Sequence, residues 1–211
     1  MFSKETYITR RAELKKLTES GLILIFGNND SPANYPANTY KFRQDSTFLY
    51  FFGWQRDGLV GVIDVDNDRE YFVGDEIDID DIVWYGSVTS VGEMAARAGV
   101  ARTAKMRELQ NIIDAAKSSG QEIHFLPPYR FDTKIQIMDL LGLLPAVQKE
   151  AASRKLIDAV VKLRSTKSEE EIAELERAAR IGYEMHTAAM RLCSPETTEQ
   201  YIGGVLDGIA S

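Results

Sequence analysis

Residues 22–26 read LILIF, five consecutive apolar side chains between Gly21 and Gly27. An apolar run of this length with glycine at both ends is typical of a strand whose two faces are both covered. The stretch therefore predicts a short, fully buried strand, and the elements on either side of it have to supply the cover.

Strand and helix patterns interleave on both sides of this strand. Ser3 to Ser20 has the spacing of an amphipathic helix, which Gly21 ends. The polar stretch 28–36, with two prolines, reads as a loop. Further strands are predicted at 47–54, 58–65, 69–73 and 122–126, and further helices at 91–98, 105–118 and 134–141. This alternation predicts an α/β fold in which helices flank a mixed β-sheet.

The last quarter has a different character, since from Arg154 onward nearly every pattern is helical. Ser168 and Glu171 form a capping box, in which each side chain accepts a hydrogen bond from the backbone amide of the other. Apolar side chains then recur at spacings of three and four up to Cys193, and a further helix beginning near Thr197 is unfinished at Ser211. We therefore predict one domain at 1–150 and, at 151–211, a linker and the first helices of a second, truncated domain.

Composition and charge exclude several classes of protein. The chain has 211 residues, 44% of them hydrophobic and 27% charged, and a net charge of −7. This charge argues against nucleic acid as a partner, because phosphate binding needs a basic surface. No apolar run approaches the roughly 20 residues that span a bilayer and the start lacks a signal-peptide pattern, so no membrane partner is expected. The single cysteine excludes an internal disulfide and predicts a cytoplasmic protein.

Side chains that could act as nucleophiles or metal ligands are few. His124 lies within a predicted strand, and His186 has no second histidine one helical turn away, so packing is the favoured role of both. Cys193 lies near a helix end, where the helix dipole disfavours a thiolate, and packing is again favoured. We therefore assign no catalytic residue and no metal ligand in this sequence.

Two acidic runs have the residue types of a cation site. Asp64 to Asp68 imitates the start of a calcium loop, but Arg69 stands where that loop needs glycine, so a solvated hairpin turn is favoured. Residues 75–81 alternate carboxylates with isoleucine, which is the pattern of a half-buried segment with one solvent-exposed face.

An aromatic pair, Trp84-Tyr85, follows the second acidic run in a predicted loop. Aromatic residues exposed on loops are enriched at interfaces and in pockets. Judged from the residues alone, the alternative that Trp84 only covers the edge of the core is equally favoured.

Residues 42–54 read FRQDSTFLYFFGW, in which Arg43 and Asp45 are placed to hold the preceding loop. The stretch resembles the signature of aminopeptidase P amino-terminal domains, in the creatinase/prolidase superfamily: an aromatic residue, Arg-Gln-x-Ser-x-Phe-x-Tyr, then glycine and an aromatic. Residues 83–86 (VWYG) resemble the Trp-aromatic-Gly loop of that family, and residues 163–172 (LRSTKSEEEI) resemble its linker into the catalytic domain. The matches occur in the family's order and span about residues 20 to 206.

The resemblance implies the amino-terminal part of an Xaa-Pro aminopeptidase, which releases the first residue from peptides that have proline second. Family members use a dinuclear metal site, usually manganese, in a "pita-bread" catalytic domain. The family's metal ligands all lie downstream of the helices in this sequence, so the resemblance assigns none here. Xaa-Pro dipeptidase (prolidase) and a metal-free homologue that binds peptides or histones remain the alternatives.

The resemblance also implies roles for the amino-terminal domain itself. In bacterial relatives this domain assembles the homo-oligomer and narrows access to the active site, and a loop tryptophan is presented to a neighbouring subunit. Trp84 matches that tryptophan and is implied to bind substrate. Some relatives carry an aspartate shortly before the Arg-Gln pair; this sequence has Asn38 in that region, so the role of the aspartate is not carried over.

Overall fold

The computed structural model describes residues 2–77, 83, 84, 86 and 88–211, which divide into two compact units, Met1–Arg164 and Ser165–Ser211. The first unit is built on a five-stranded sheet in the order β6-β5-β4-β1-β7. These strands are β1 (Leu22–Phe26), β4 (Val60–Asp64), β5 (Arg69–Val73), β6 (Arg102–Ala104) and β7 (Ile123–Phe125). A two-stranded sheet pairs β2 (Pro32–Tyr35), which lies within the predicted loop 28–36, with β3 (Asn38–Thr39), just beyond it.

The main sheet is mixed, as predicted. β1 pairs antiparallel with β4 and parallel with β7, and β5 pairs antiparallel with β4 and parallel with β6. The turn between β4 and β5 occupies residues 65–68, which confirms the predicted hairpin.

Helices cover both faces of the sheet. One face contacts α1 (Lys4–Thr18), α2 (Ser46–Phe52), α3 (Val91–Ala98) and α7 (Arg154–Ser165); the other contacts α4 (Leu109–Ser118) and α5 (Phe131–Leu141). A 3-10 turn at Met106–Glu108 and the short α6 (Gln148–Ala151) complete the described elements of this unit. The predicted α/β fold, a mixed sheet flanked by helices, is confirmed.

The strand β1 shows why LILIF decides this architecture. Ile23 and Ile25 enter the core cluster on one face, and Leu22 and Leu24 enter the cluster on the other. None of the four is more than 2% exposed. Alternate side chains of a strand point to opposite faces, so a run that is apolar throughout requires cover on both.

The prediction of a strand at 47–54 is wrong, because these residues form the helix α2. Asp45 caps the helix, its Oδ1 accepting hydrogen bonds from the amides of Thr47 at 2.8 Å and Phe48 at 2.9 Å. Gly53 ends the helix in the left-handed conformation, with φ of 74°. The aromatic side chains at 48, 51 and 52 are fully buried at helical spacing. A high content of aromatic residues favours strands in general. Here the cap at each end and the burial of these side chains at helical spacing favour a helix instead.

Two arginines of α1 bind the carboxyl end of α2, where backbone carbonyls have no partner within the helix. Arg10 Nη1 donates to the Tyr50 carbonyl at 2.9 Å, and Arg11 Nη1 donates to the Phe51 carbonyl at 2.8 Å. The side chain of Arg11 is completely buried and also donates to the Gly99 carbonyl at 3.2 Å and to Glu70 Oε2 at 2.7 Å. Arg11 therefore links α1, α2, β5 and the end of α3.

The first unit extends beyond the predicted boundary at residue 150, to Arg164. The reason is α7, whose Leu156, Ala159 and Val160 are buried in the core cluster that contains α2 and α3. Arg154 therefore opens the last helix of the first unit.

The second unit contains α8 (Glu169–Leu192) and α9 (Glu199–Ala210), which contact each other. The predicted capping box is present: the Glu171 amide donates to Ser168 Oγ at 3.3 Å and the Ser168 amide donates to Glu171 Oε2 at 2.9 Å. In this unit the side chains of Ile172 and Leu175 are 46% and 55% exposed.

Among the residues that the structure describes, no helix combines the length and the apolar character that crossing a bilayer requires.

Candidate functional site

Trp84 is the most exposed large apolar side chain of the described residues, at 82%, and its neighbour Val83 is 75% exposed. Both have helical backbone and lie between β5 and α3. Tyr85, its partner in the predicted aromatic pair, lies outside the described residues. An indole with this exposure does not cover the edge of the core, so it is free to contact another molecule.

Apart from Trp84, a cluster of polar groups lies where β1 and β7 end. The two strands are parallel, so the loops that follow them leave the same edge of the sheet. Asn28, just after β1, donates from Nδ2 to the Tyr129 hydroxyl at 3.2 Å and to the Arg43 carbonyl at 2.8 Å. The Tyr129 hydroxyl donates to Asp45 Oδ2 at 3.2 Å. Asn28 and Tyr129, 101 positions apart, are thus joined at one sheet edge.

Gln44 connects three loops at this edge and is only 3% exposed. Its Oε1 accepts hydrogen bonds from the amides of Asn28 at 2.6 Å and Asp45 at 2.8 Å. Its Nε2 donates to the Arg56 carbonyl at 2.5 Å. Of the two residues predicted to hold the preceding loop, Arg43 does so through its backbone carbonyl, which binds Asn28, whereas Asp45 caps α2 and binds Tyr129. Gln44, which the sequence did not single out, binds the Asn28 amide.

The cluster encloses a cavity of about 40 Å³, lined in part by Phe26, Asp45 and Tyr129. This volume admits a few water molecules and no peptide. The loss of hydration around the Tyr129 hydroxyl raises its pKa, as does the nearby Asp45 charge, and the hydrogen bond from Asn28 acts in the opposite direction. A neutral phenol with these partners serves to fix loops rather than to exchange protons.

Arg130 fastens the base of the β2–β3 hairpin to the loop after β7. Its Nη2 donates to the Asn29 carbonyl and to Ser31 Oγ, both at 2.9 Å, and its Nε donates to Asp132 Oδ1 at 3.0 Å. Burial raises the pKa of Asp132, but the hydrogen bond and charge of Arg130 together with hydrogen bonds from the backbone amides of Thr133 and Asp132 outweigh it, so the pKa is lowered. The Asp30 carboxyl nearby has a raised pKa, first because it loses hydration and next because Asp57 repels its charge, while Arg130 partly offsets both.

Replacement of Asp30 by asparagine tests this electrostatic arrangement. Because the pKa is raised in the folded state, the stability linked to Asp30 is present when the carboxyl is protonated and is lost as pH rises above its ordinary value of 3.8. Asp30→Asn should therefore raise the melting temperature at about pH 7 by no more than about 2 °C and leave it unchanged near about pH 3. Thermal melts across this pH range check the result, and in an Asp57→Asn background the gain should shrink. A lower melting temperature at neutral pH would contradict the arrangement.

His124 is 1% exposed and has a partner for each ring nitrogen, as the prediction of a core histidine requires. Its Nε2 lies 3.0 Å from the Ser20 carbonyl and its Nδ1 lies 2.8 Å from Ser153 Oγ. A carbonyl only accepts, so Nε2 carries a hydrogen, and in the neutral ring Nδ1 accepts from the serine hydroxyl. Ser153 Oγ in turn accepts from the Leu156 amide at 3.2 Å. His124 thus braces the start of α7.

The remaining candidates differ from the predictions in their exposure. His186 and Cys193, both predicted to pack, are exposed in the second unit. Over residues 2–77, 83, 84, 86 and 88–211, no group of three or more His, Cys, Asp or Glu side chains is arranged to hold a metal ion. The family resemblance places its dinuclear manganese site downstream of these helices, so this finding does not bear on that site.

The two acidic runs differ in what the structure describes of them. Asp64 accepts hydrogen bonds from the Asn67 amide at 3.2 Å and from Gln121 Nε2 at 2.8 Å, which stabilises the β4–β5 turn. In the second run Asp75 and Glu76 bind backbone amides, and the run's residues 78–81 lie outside the described part of the chain.

These observations define the class of protein. The first unit is an α/β domain whose buried polar side chains fix loops at one sheet edge and in which the side chain of Trp84 is exposed. The sequence model of the family described as "Aminopeptidase P, N-terminal domain" matches residues 7–124, more than half of the chain. The chain belongs to this family.

Known proteins agree with that assignment. The Xaa-Pro aminopeptidase of Escherichia coli is 25% identical over 210 residues, which cover 96% of this chain and 48% of that protein. The structure of Pseudomonas aeruginosa aminopeptidase PepP superposes with a TM-score of 0.80 at 18% identity, and zinc-substituted E. coli aminopeptidase P in complex with product superposes with 0.77 at 22%. Each structural match covers 99% of this chain and 49% of the other, so the chain spans about half the length of these relatives.

Proposed function

We propose that this chain is the amino-terminal part of a metal-dependent Xaa-Pro aminopeptidase, where it shapes the active-site entrance and assembles a homo-oligomer. The observation that carries the proposal is the family match over residues 7–124. The fold likeness to aminopeptidase P structures over 99% of the chain supports it. The substrate class we propose is peptides with proline in the second position.

The chemistry of this enzyme is assigned to residues outside the chain described here. The aminopeptidase P relatives are about twice as long as this chain. We place a dinuclear manganese site in that further half, where bound metal would supply a water nucleophile. A zinc-substituted structure of the E. coli relative is consistent with a site for divalent metal in this family.

Trp84 is the residue through which this part of the enzyme would contact substrate. Its exposed indole offers a rigid apolar surface on which the proline ring of a peptide can pack, at a low cost in conformational entropy. In an oligomer this surface would complete the active site of a neighbouring subunit.

The test of the function is an assay of the complete enzyme on an Xaa-Pro-Xaa tripeptide, with manganese and with a chelator. Release of the first residue in manganese and its loss in chelator are expected, and the 211-residue chain alone should be inactive. Cleavage restricted to Xaa-Pro dipeptides would instead identify a prolidase. Peptide binding without cleavage in any metal would identify a binding homologue, and activity of the isolated chain would overturn the assignment of chemistry to the other half.

Replacement of Trp84 by alanine tests the contact with substrate. In the complete enzyme we expect Trp84→Ala to lower kcat/KM for a proline-second peptide about tenfold, the loss of one aromatic packing contact, mainly through KM. Val83→Ala removes a neighbouring exposed apolar side chain and serves as the matched control. Equal kinetics for Trp84→Ala and Val83→Ala would refute a role of the indole.

A further inference from the structure

The helix α5 (Phe131–Leu141) is apolar on both of its faces, although one face lies on the outside of the first unit. On the inner face Ile137 is completely buried in the core. On the outer face Phe131, 79% exposed, and Ile135, also exposed, lie one helical turn apart. A helix at the surface of a domain is expected to be polar on its outer side. α5 therefore has an apolar face that the first unit does not cover.

The helix α4 shows that this apolar face is specific to α5. Both helices contribute to the core cluster on the same side of the sheet. The exposed positions of α4 include Asn111, Asp114 and Lys117, as expected for a helix in contact with solvent. In α5 the exposed positions are Phe131, Ile135 and Asp139, and Asp139 alone is polar.

The chain that follows α5 adds to its apolar face. Leu144 is 64% exposed and Val147 is also exposed. The fully buried Gln148 holds this stretch against the helix, because its Nε2 donates to the carbonyls of Lys134 and Leu143, both at 2.8 Å. The exposed and half-buried apolar side chains of this surface form what we call the α5 patch: Phe131, Ile135, Met138, Leu144 and Val147.

The size of the α5 patch fits the centre of a stable interface. Its side chains expose on the order of 500 Å² of apolar surface, of which the ring of Phe131 supplies the largest single part. A standard interface buries about 800 Å² from each partner, and in homodimers about 65% of that area is apolar. The patch with a polar rim is thus large enough to hold a protein partner.

The spacing of charges beside the patch favours a second copy of this chain as that partner. Phe131, Ile135 and Met138 are separated by four and three residues, the spacing of the d, a and d positions of two parallel helices that pack together. With this assignment Lys134 is a g residue and Asp139 is the following e residue. Residues at g and e form ion pairs between the two helices of such a pair. The surface is therefore complementary in charge to itself.

Both charged side chains are available for this contact. Lys134 Nζ lies over the ring of Phe131, 5.1 Å from its centroid, so the ammonium group is at the edge of the patch. The side chain of Asp139 is exposed. The other carboxylate of the helix, Asp132, is already bound by Arg130 at 3.0 Å. Asp139 is thus the carboxylate of α5 that a lysine from another molecule would meet.

We infer that two copies of this chain associate through α5, packed in parallel about a two-fold axis, with the α5 patch at the centre of the interface. The two-fold axis gives two identical ion pairs at the rim, each between Lys134 of one copy and Asp139 of the other. The inference rests on the proposed homo-oligomer and specifies the surface that builds it.

Sedimentation velocity of the complete enzyme tests the contact. Phe131→Glu and Ile135→Glu place a charge at the centre of the interface twice, once from each copy. Each variant should raise the dissociation constant of the assembly at least about 100-fold, so that its mass halves at micromolar concentration. Asn111→Glu adds the same charge to an exposed position of α4 and is the matched control, whose mass should not change. Equal masses for the control and both α5 variants would overturn the inference.

An exchange of charges tests the parallel arrangement. Lys134→Glu and Asp139→Lys each bring two like charges together in both ion pairs, and each should weaken the association about tenfold. The double variant restores opposite charges in both pairs and should recover most of the wild-type association. If the double variant associates no better than the two single variants, the parallel contact is wrong.

The same samples separate this inference from the proposed function. A wild-type oligomer whose mass no α5 variant changes would overturn the α5 contact alone. A monomeric wild-type enzyme would overturn both the contact and the proposed homo-oligomer, and protection of the α5 amides from hydrogen exchange in that monomer would show that the rest of the polypeptide covers the patch. An enzyme that assembles through α5 but cleaves no proline-second tripeptide would support the contact and refute the proposed activity.

Discussion

Replacement of Arg11 by methionine is expected to lower the free energy of unfolding of the first unit by about 3 to 5 kcal/mol, the usual result of removing one partner of a buried ion pair. The side chain of Arg11 is fully buried, and Glu70 beside it is 16% exposed. Burial lowers the pKa of Arg11, whereas the charge and hydrogen bond of Glu70 act against that fall. Methionine fills a similar volume but leaves the carbonyls of Phe51 and Gly99 without their donor.

Glu70, the acidic partner of Arg11, will not be left unpaired, which offsets part of the loss of stability. Lys15 Nζ also lies 3.0 Å from Glu70 Oε1, so Glu70 keeps one cation when Arg11 is removed. Most of the effect therefore comes from the unpaired carbonyls and from the lost link between α1 and α2. Arg11→Lys should recover only a minority of it, because one ammonium cannot reach acceptors on three different elements.

Thermal or urea unfolding measures this prediction. For a unit of this size the expected fall in melting temperature is about 8 to 15 °C. The control is Lys16→Ala, which breaks an exposed ion pair with Glu13 on the same helix and should change the stability by less than about 0.5 kcal/mol. A melting temperature of Arg11→Met equal to that of Lys16→Ala would show that the buried arginine does not fasten the unit.

The second large effect is expected at Gly53, where replacement by alanine should lower the free energy of unfolding by about 3 kcal/mol. Gly53 ends α2 with φ of 74°, a conformation that favours glycine. An added Cβ would also overlap the ring of Tyr7, which is 2% exposed and cannot move aside into solvent. The cost therefore combines backbone strain with overpacking of the core.

Gly120 separates these two contributions. It follows α4 with φ of 80°, and no atom lies within 4 Å of a Cβ built there. Gly120→Ala should thus cost only the backbone part, about 1 kcal/mol. Chemical unfolding of both variants gives the difference, which measures the close approach of Gly53 to Tyr7. Equal losses at the two positions would mean that Tyr7 adjusts without cost.

The elements that could be predicted are those whose sequence pattern is local and strong. The helix α1, the strands β1, β4 and β5 and the capping box of α8 carry periodicity or caps within a few residues, so they could be predicted. The error at 47–54 came from giving aromatic density more weight than Asp45 and Gly53, the two residues that begin and end α2. Burial of Phe48, Phe51 and Phe52 depends on distant elements, which local propensity does not report.

The candidate site could be predicted only in part for the same reason. Trp84 was singled out from a short motif; its side chain is exposed, and its contact with substrate stays a prediction. The network of Asn28, Gln44 and Tyr129 was missed because it joins residues up to 101 positions apart at the ends of parallel strands. The first compact unit ends at Arg164 rather than at the predicted 150, because α7, which has a helical pattern like those that follow it, is buried in the core of that unit.

The order of strands in the main sheet has a consequence for synthesis of the protein. On one side β1 pairs with β4, but on the other its partner is β7, where Ile123 pairs with Leu22 across 101 positions of chain. A ribosome therefore delivers LILIF long before the strand that covers its second edge exists. Until then the nascent chain carries an apolar strand with open backbone groups, a target for chaperones and for wrong pairing with other chains. Slow translation between residues 26 and 123 would lengthen this exposure.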